Sequence, residues 1–180
     1  PFIKGEEEKS EREPLKIWGA LEGDRIALRK EPVISAQCIR VPASDGHMAA
    51  VFVSFDKKPT EADIVGRWRG FRGLDLPSAP APFLTYFEDD TRPQTRLDRD
   101  IGNGQGVAIG RLRPDALFDY RFVSLSHNTV RGAAGGAGPR ESPGGVVHAL
   151  QGSAIIHKRH DFLKEAVPVH FGIQGHASRA

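Results

Sequence analysis

Ser35-Ala36-Gln37-Cys38-Ile39-Arg40-Val41-Pro42-Ala43-Ser44-Asp45-Gly46-His47 runs directly into Met48-Ala49-Ala50-Val51-Phe52-Val53-Ser54-Phe55, and these two stretches carry the fold reading. In the second, Ala49, Val51, Val53 and Phe55 alternate with Ala50, Phe52 and Ser54. Both alternating sets are small or apolar, which predicts a strand buried on both faces. In the first, residues 33–41 read as another strand, with Pro32 before it and Pro42 and Asp45-Gly46 turning the chain after it. Cys38 and Arg40, two apart on a strand, are expected on the same side, and the turn then delivers His47. Such a bend brings a guanidinium and an imidazole to one cleft, a carboxylate clamp beside a proton-transfer group. The plainer account of the same residues is a surface histidine at a turn and an arginine in a salt bridge.

Working outward, Gly5-Glu6-Glu7-Glu8-Lys9-Ser10-Glu11-Arg12-Glu13 predicts a charged helix with its acidic residues early, where they complement the helix dipole, and Pro14 is expected to end it. Residues 15–21 and 25–29 read as strands around Gly23-Asp24. Thr60-Glu61-Ala62-Asp63 has the pattern of a capped helix N-terminus leading to Trp68, and Pro77, Pro80 and Pro82 mark a loop. Residues 106–111 and 118–125 read as two more strands, followed by a small-residue helix over 128–137. Several strands interrupted by one or two helices predict an α+β domain with a mainly antiparallel sheet and flanking helices.

The 180 residues suit one ordinary domain. The formal charge is +2, and all of it resides after Ala137, so residues 1–137 are neutral and lack the basic face that nucleic-acid binding requires. The one cysteine excludes an internal disulfide framework, and no apolar run long enough to span a membrane and no secretory leader pattern is present, so a cytoplasmic, reducing setting with no membrane partner is expected. The chain opens at Pro1 and its only methionine is Met48, which reads as a piece of a longer protein. Residues 138–180 change character: they hold five of the seven histidines with poor periodicity, and are expected to form a divergent, weakly structured tail. These histidines lack a regular element to preorganise them, and no metal site is expected.

Four ordered blocks carry a family likeness: Gly5-Glu6-Glu7-Glu8-Lys9, then Cys38-x-Arg40-Val41-Pro42-x-x-x-Gly46-His47, then Arg92-Pro93-Gln94-Thr95-Arg96-Leu97-Asp98-Arg99-Asp100, then Ser126-His127-Asn128-Thr129-Val130-Arg131-Gly132-Ala133-Ala134-Gly135-Gly136. Together they resemble aspartate-semialdehyde dehydrogenase of the archaeal and fungal type, over residues 1–137. The resemblance implies the C-terminal catalytic and dimerisation domain of that family, without the N-terminal Rossmann domain, and a homodimer or homotetramer. It implies NADP-dependent reductive dephosphorylation of L-aspartyl 4-phosphate to L-aspartate 4-semialdehyde and phosphate, on the route to threonine, methionine and lysine. The nucleophilic cysteine of the family lies in a segment before this domain, so the isolated chain is expected to be inactive.

By the same resemblance His47 is the general acid/base, Arg40 clamps the substrate α-carboxylate, Glu6 holds the substrate ammonium, Lys9 the phosphate, and Asn128 contacts the nicotinamide half of NADP. Glu7 is the neighbouring alternative to Glu6. Cys38 matches a non-nucleophilic cysteine that precedes the substrate arginine in many members. Read without the family, residues 5–13 are a solvated charged helix and Asn128 a helix cap. Gly102-x-Gly104-x-Gly106 follows a polar loop, not a strand, and is no dinucleotide fingerprint. Gln94, Arg96, Asp98, Arg99 and Asp100 read as an ion-pair network fixing a loop or a subunit contact. Two other functions fit the pattern: a non-catalytic dimerisation module, and a related acyl-phosphate or acyl-CoA reductase such as malonyl-CoA reductase.

Overall fold

A computed structural model of the chain describes residues 4–73, 79–134 and 166–174. The first helix, α1 (Glu6–Ile17), starts after Gly5 at φ 79, carries Glu6, Glu7 and Glu8 in its first turn and Lys16 in its last, and so opposes charge to both ends of its dipole. Pro14 does not end it: the proline is buried inside the helix, and the chain stays helical to Ile17, closed by the Trp18 amide donating to the Pro14 carbonyl at 2.9 Å. A proline removes only one helical N–H, and packing of Leu15 and Trp18 against the core holds the last turn. The strand expected over 15–21 therefore shrinks to β1 (Ala20–Glu22), which pairs with β2 (Arg25–Ala27) in a separate hairpin.

The main sheet holds β3 (Ile34–Cys38), β4 (His47–Phe55), β5 (Leu84–Phe87), β6 (Val107–Pro114), β7 (Tyr120–Ser126) and β8 (Ala166–Gln174), in the spatial order β3-β8-β4-β7-β6-β5. Three of the pairings are antiparallel, whereas β3–β8 and β5–β6 are parallel, so the fold is α+β with a mixed sheet. Most of the tail, residues 138–165 and 175–180, lies outside the described residues, but β8 falls within it, where the sequence signals no strand.

Alternation on β4 holds, but full burial is confined to one face: Ala50, Phe52 and Ser54 on the other are half-buried, against the expectation of two buried faces. Ala49, Val51 and Val53 are buried in the main apolar cluster with Ile34, Ile64, Leu112 and Tyr120. Helix α2 (Glu61–Gly70) covers that face; its N-terminus is closed by a capping box between Thr60 and Asp63, and Ile64 is its buried anchor. Trp68 of α2 fits between Tyr86 and Phe122, with ring centroids 5.6 and 5.0 Å away. Over β6 the opposite face is covered by the β5–β6 connection, which contains the short helix α3 (Thr95–Asp98). Gly110 permits this closeness, because a Cβ there would collide with the Arg92 carbonyl.

At the outer side of β3, Glu11 accepts from the Ala36 amide and Glu7 from the Cys38 amide, both at 2.9 Å. The match is metric: four residues rise about 6 Å along a helix, and two rise about 6.6 Å along a strand.

Candidate functional site

The register of β4 against β7 builds the site. His47, the first residue of β4, lies opposite Ser126, the last of β7, so the chain entering β4 runs beside the chain leaving β7. Asn128 uses this proximity, its Oδ1 accepting from the Gly46 amide at 2.9 Å. Gly46 is buried at φ 111, a left-handed conformation, and a Cβ there would stand 3.0 Å from Leu125 Cδ1. Glycine is thus required on two counts, and the residue before His47 is pinned.

His127, which the sequence reading passes over, organises the other strand's exit. It is 8% exposed. Its Nδ1 accepts from the Thr129 and Val130 amides, each at 3.3 Å, which places the ring proton on Nε2, 3.6 Å from Asp100 Oδ1. Where a regular helix is expected over 128–137, the chain instead makes a turn at 128–129 and then a π-helical turn, Val130–Ala134. Arg131 follows the turn inward, donating to the Gln105 carbonyl at 2.6 Å with its guanidinium 4.4 Å from the Phe83 ring centre; burial pushes its pKa down.

The block at 92–100 locks the neighbouring loop. Asp98, 1% exposed, accepts from Arg92 Nε and from the Gln94 amide, both at 2.7 Å, and forms a second contact with Arg92 Nη2. Arg99 donates to Ser44 Oγ, tying this loop to the β3–β4 turn. The ion-pair reading of this block holds, with α3 as its backbone frame.

On α1 the successive glutamates divide their work. Glu7 is committed to the Cys38 amide and Glu8 to Arg12 at 3.2 Å, while neither Glu6 nor Lys9, both half-buried, forms an ion pair among the described residues. That division favours Glu6 over Glu7 as the carboxylate left for a ligand. Arg40 is exposed two residues beyond the end of β3 and has no carboxylate partner among the described residues, against the salt-bridge account. The expectation that Cys38 and Arg40 share one side of a strand fails, since the strand stops at Cys38 and the two side chains occupy opposite environments, one buried and one exposed.

Burial pushes the Cys38 thiol up; a hydrogen bond with Ser10 opposes this, and Glu7, Glu6 and Glu11 add to the rise. A thiol kept protonated in this way is a poor nucleophile.

The sequence matches the family described as semialdehyde dehydrogenase, dimerisation domain, over residues 1–131. The chain belongs to this family. Among curated relatives, the aspartate-semialdehyde dehydrogenase of Archaeoglobus fulgidus is 45% identical over 135 residues, covering 75% of this chain and 39% of the relative. That of Schizosaccharomyces pombe is 45% identical over 143 residues, covering 75% and 40%. A solved structure, aspartate semialdehyde dehydrogenase with NADP from Candida albicans, superposes with a TM-score of 0.67 at 39% identity, covering 75% of this chain and 40% of that one. The chain therefore spans about 40% of the length of the proteins it matches.

Two expectations follow for this semialdehyde dehydrogenase domain. Cys38 should react with iodoacetamide at pH 7.5 at least about tenfold more slowly than a free cysteine peptide, read by mass spectrometry; a fast reaction would reopen a nucleophilic role. Asn128→Ala should speed hydrogen exchange at the Gly46 amide about fivefold, the loss of roughly 1 kcal/mol in one hydrogen bond, while the amides of central β4 keep their protection.

Proposed function

We propose that this domain is the substrate-binding and dimerisation part of an NADP-dependent aspartate-semialdehyde dehydrogenase that reduces L-aspartyl 4-phosphate to L-aspartate 4-semialdehyde. The observation that carries the reading is the joint anchoring of Gly46 by Asn128 and of His47 against Ser126, which holds an imidazole and a side-chain amide at one sheet end. In the proposed reaction His47 takes and returns the proton of the attacking thiol and of the thiohemiacetal oxygen. Arg40 clamps the α-carboxylate with paired donors, Glu6 holds the ammonium and Lys9 the phosphate. The thiol itself belongs to the remainder of the enzyme, since burial keeps Cys38 protonated.

Asn128 fits a nicotinamide contact in one specific respect. Its oxygen is taken by the Gly46 amide, so its NH2 group is the end left to donate to a carboxamide oxygen. When bound, NADP supplies hydride chemistry.

The test joins residues 1–134 of this chain to the complementary portion of the Archaeoglobus relative and follows phosphate-dependent NADPH formation from aspartate semialdehyde. Turnover by the joined protein, with none by the 180-residue chain alone, is the expected result. A joined protein that folds and dimerises without turnover would favour a non-catalytic dimerisation role.

A further inference from the structure

The distal end of the sheet carries an arrangement that the proposed reaction does not use. Between the pairs Gly110–Val123 and Arg113–Arg121 the β6–β7 register slips, so Arg111 and Leu112 together face one residue of β7. This bulge turns Leu112 into the core and leaves Arg111 exposed at φ 58, in the left-handed region where a non-glycine residue costs free energy. Beyond the bulge Arg113 and Arg121 stand directly opposite each other. Side chains so placed have Cβ atoms about 5 Å apart, and like charges there are destabilising.

The local acids offset this group only in part: Asp115 forms an ion pair with Arg121. Arg113 donates to the Arg111 carbonyl at 2.7 Å, and neither Arg111 nor Arg113 has a carboxylate ion-pair partner among the described residues. Arg121 Nε is buried without a hydrogen bond, although Asp115 Oδ2 lies 3.4 Å away. Asp115 is itself engaged through Oδ1, which accepts from the Leu117 and Phe118 amides at 2.9 and 3.1 Å. Burial, then the charges of Arg111 and Arg121, push the Arg113 pKa down, against the smaller opposing pull of Asp90 and Asp115. Three costs therefore converge on one place: a left-handed arginine, a like-charge cross-strand pair and a buried N–H whose one ion-pair contact makes no hydrogen bond.

We propose that Arg111, Arg113 and Arg121 form an oxyanion-binding site, taking a phosphate or carboxylate group between the opposed guanidiniums of Arg113 and Arg121. An oxyanion offsets two of these costs at once, since it screens the repulsion and offers paired acceptors to planar guanidinium donors. Phe52, opposite Arg121 on β4 and 5.8 Å from the Phe118 ring, gives the site an apolar flank that strengthens such contacts. The site is separate from the reaction centre. His47 pairs with Ser126 and Phe52 with Arg121 along the same two strands, which puts roughly 17 Å between them. It is also independent of the substrate assigned above.

The group can arrive as free phosphate or as an acidic side chain of a second copy of this chain, and the experiment distinguishes them. Thermal unfolding of the 180-residue chain is followed at constant ionic strength while inorganic phosphate is raised from 0 to 20 mM. Sedimentation velocity without phosphate is run in parallel. For free phosphate, Tm rises by about 5 °C, the shift mass action gives for a Kd of about 1 mM. Arg113→Gln or Arg121→Gln reduces this shift at least threefold, and Arg113→Gln alone is more stable than the wild type in phosphate-free buffer. For a carboxylate from a second copy, the wild type self-associates without phosphate, phosphate dissociates it, and Arg113→Gln weakens the association at least tenfold. Exposed Arg111→Gln serves as the second variant if Arg121→Gln fails to fold. Variants that match the wild type in both phosphate shift and self-association would overturn the proposal.

Discussion

Replacing His47 by glutamine in an intact enzyme carrying this domain should lower kcat about 10³-fold while KM changes less than about threefold, the pattern of a lost proton-transfer group. The expectation rests on how the backbone delivers this side chain. His47 opens β4 opposite Ser126, and the preceding residue is fixed by glycine's left-handed conformation and by Asn128. A glutamine at position 47 keeps the strand pairing and loses only the proton-transfer nitrogen, so substrate should still bind at the proposed Arg40 and Glu6 contacts. The limb of the kcat profile that reports His47 should vanish in the variant. Cys38→Ser, measured alongside, should leave kcat within about twofold. The reverse pattern, an inert His47 variant with a dead Cys38 variant, would reverse both assignments.

Asp98→Ala should cost about 3 kcal/mol and lower Tm by about 10 °C, read by thermal unfolding. The carboxylate is 1% exposed and receives Arg92 Nε and the Gln94 amide. Its removal leaves a guanidinium stacked on Phe87, 4.5 Å from the ring centre, without its ion-pair partner, and releases the frame that holds α3 over β6. Burial by itself pushes the Asp98 pKa up, but the Arg92 and Gln94 hydrogen bonds and the Arg92 charge outweigh it and hold the carboxyl below the ordinary range. A carboxyl with a depressed folded-state pKa stabilises fully above its unfolded pKa near 4, and that stability is lost as pH falls through the folded value. Wild type should therefore lose stability on acidification below about pH 4 more steeply than Asp98→Ala.

Where local chemistry decided the structure, the sequence was a good guide. The Thr60/Asp63 cap and the strand character of β4 are each settled by neighbours within a few residues, and both appear as expected, although β4 is buried on one face and half-buried on the other. Long-range packing decided the rest. Pro14 was expected to stop a helix that Leu15 and Trp18 hold together through core contacts. β5 follows the loop marked by Pro77, Pro80 and Pro82 and was not singled out as a strand, since its four residues gain their strand character from parallel pairing with β6. The site divides the same way. Family motifs pointed to His47 and Asn128, and register brings their segments together. His127 was missed because its value lies in two backbone amides that a one-dimensional reading cannot place beside its ring.

The two carboxylates that α1 sets against β3 also govern how this sheet can meet other chains. An unpaired strand edge is a template for any extended segment that offers complementary amides and carbonyls. Here the outward amides of Ala36 and Cys38 are already answered by Glu11 and Glu7. An incoming strand would have to displace two charged acceptors and face their negative field. Sheet extension and fibrillar stacking through β3 are thereby discouraged, so a second copy is steered toward the faces of the sheet or toward its far edge at β5.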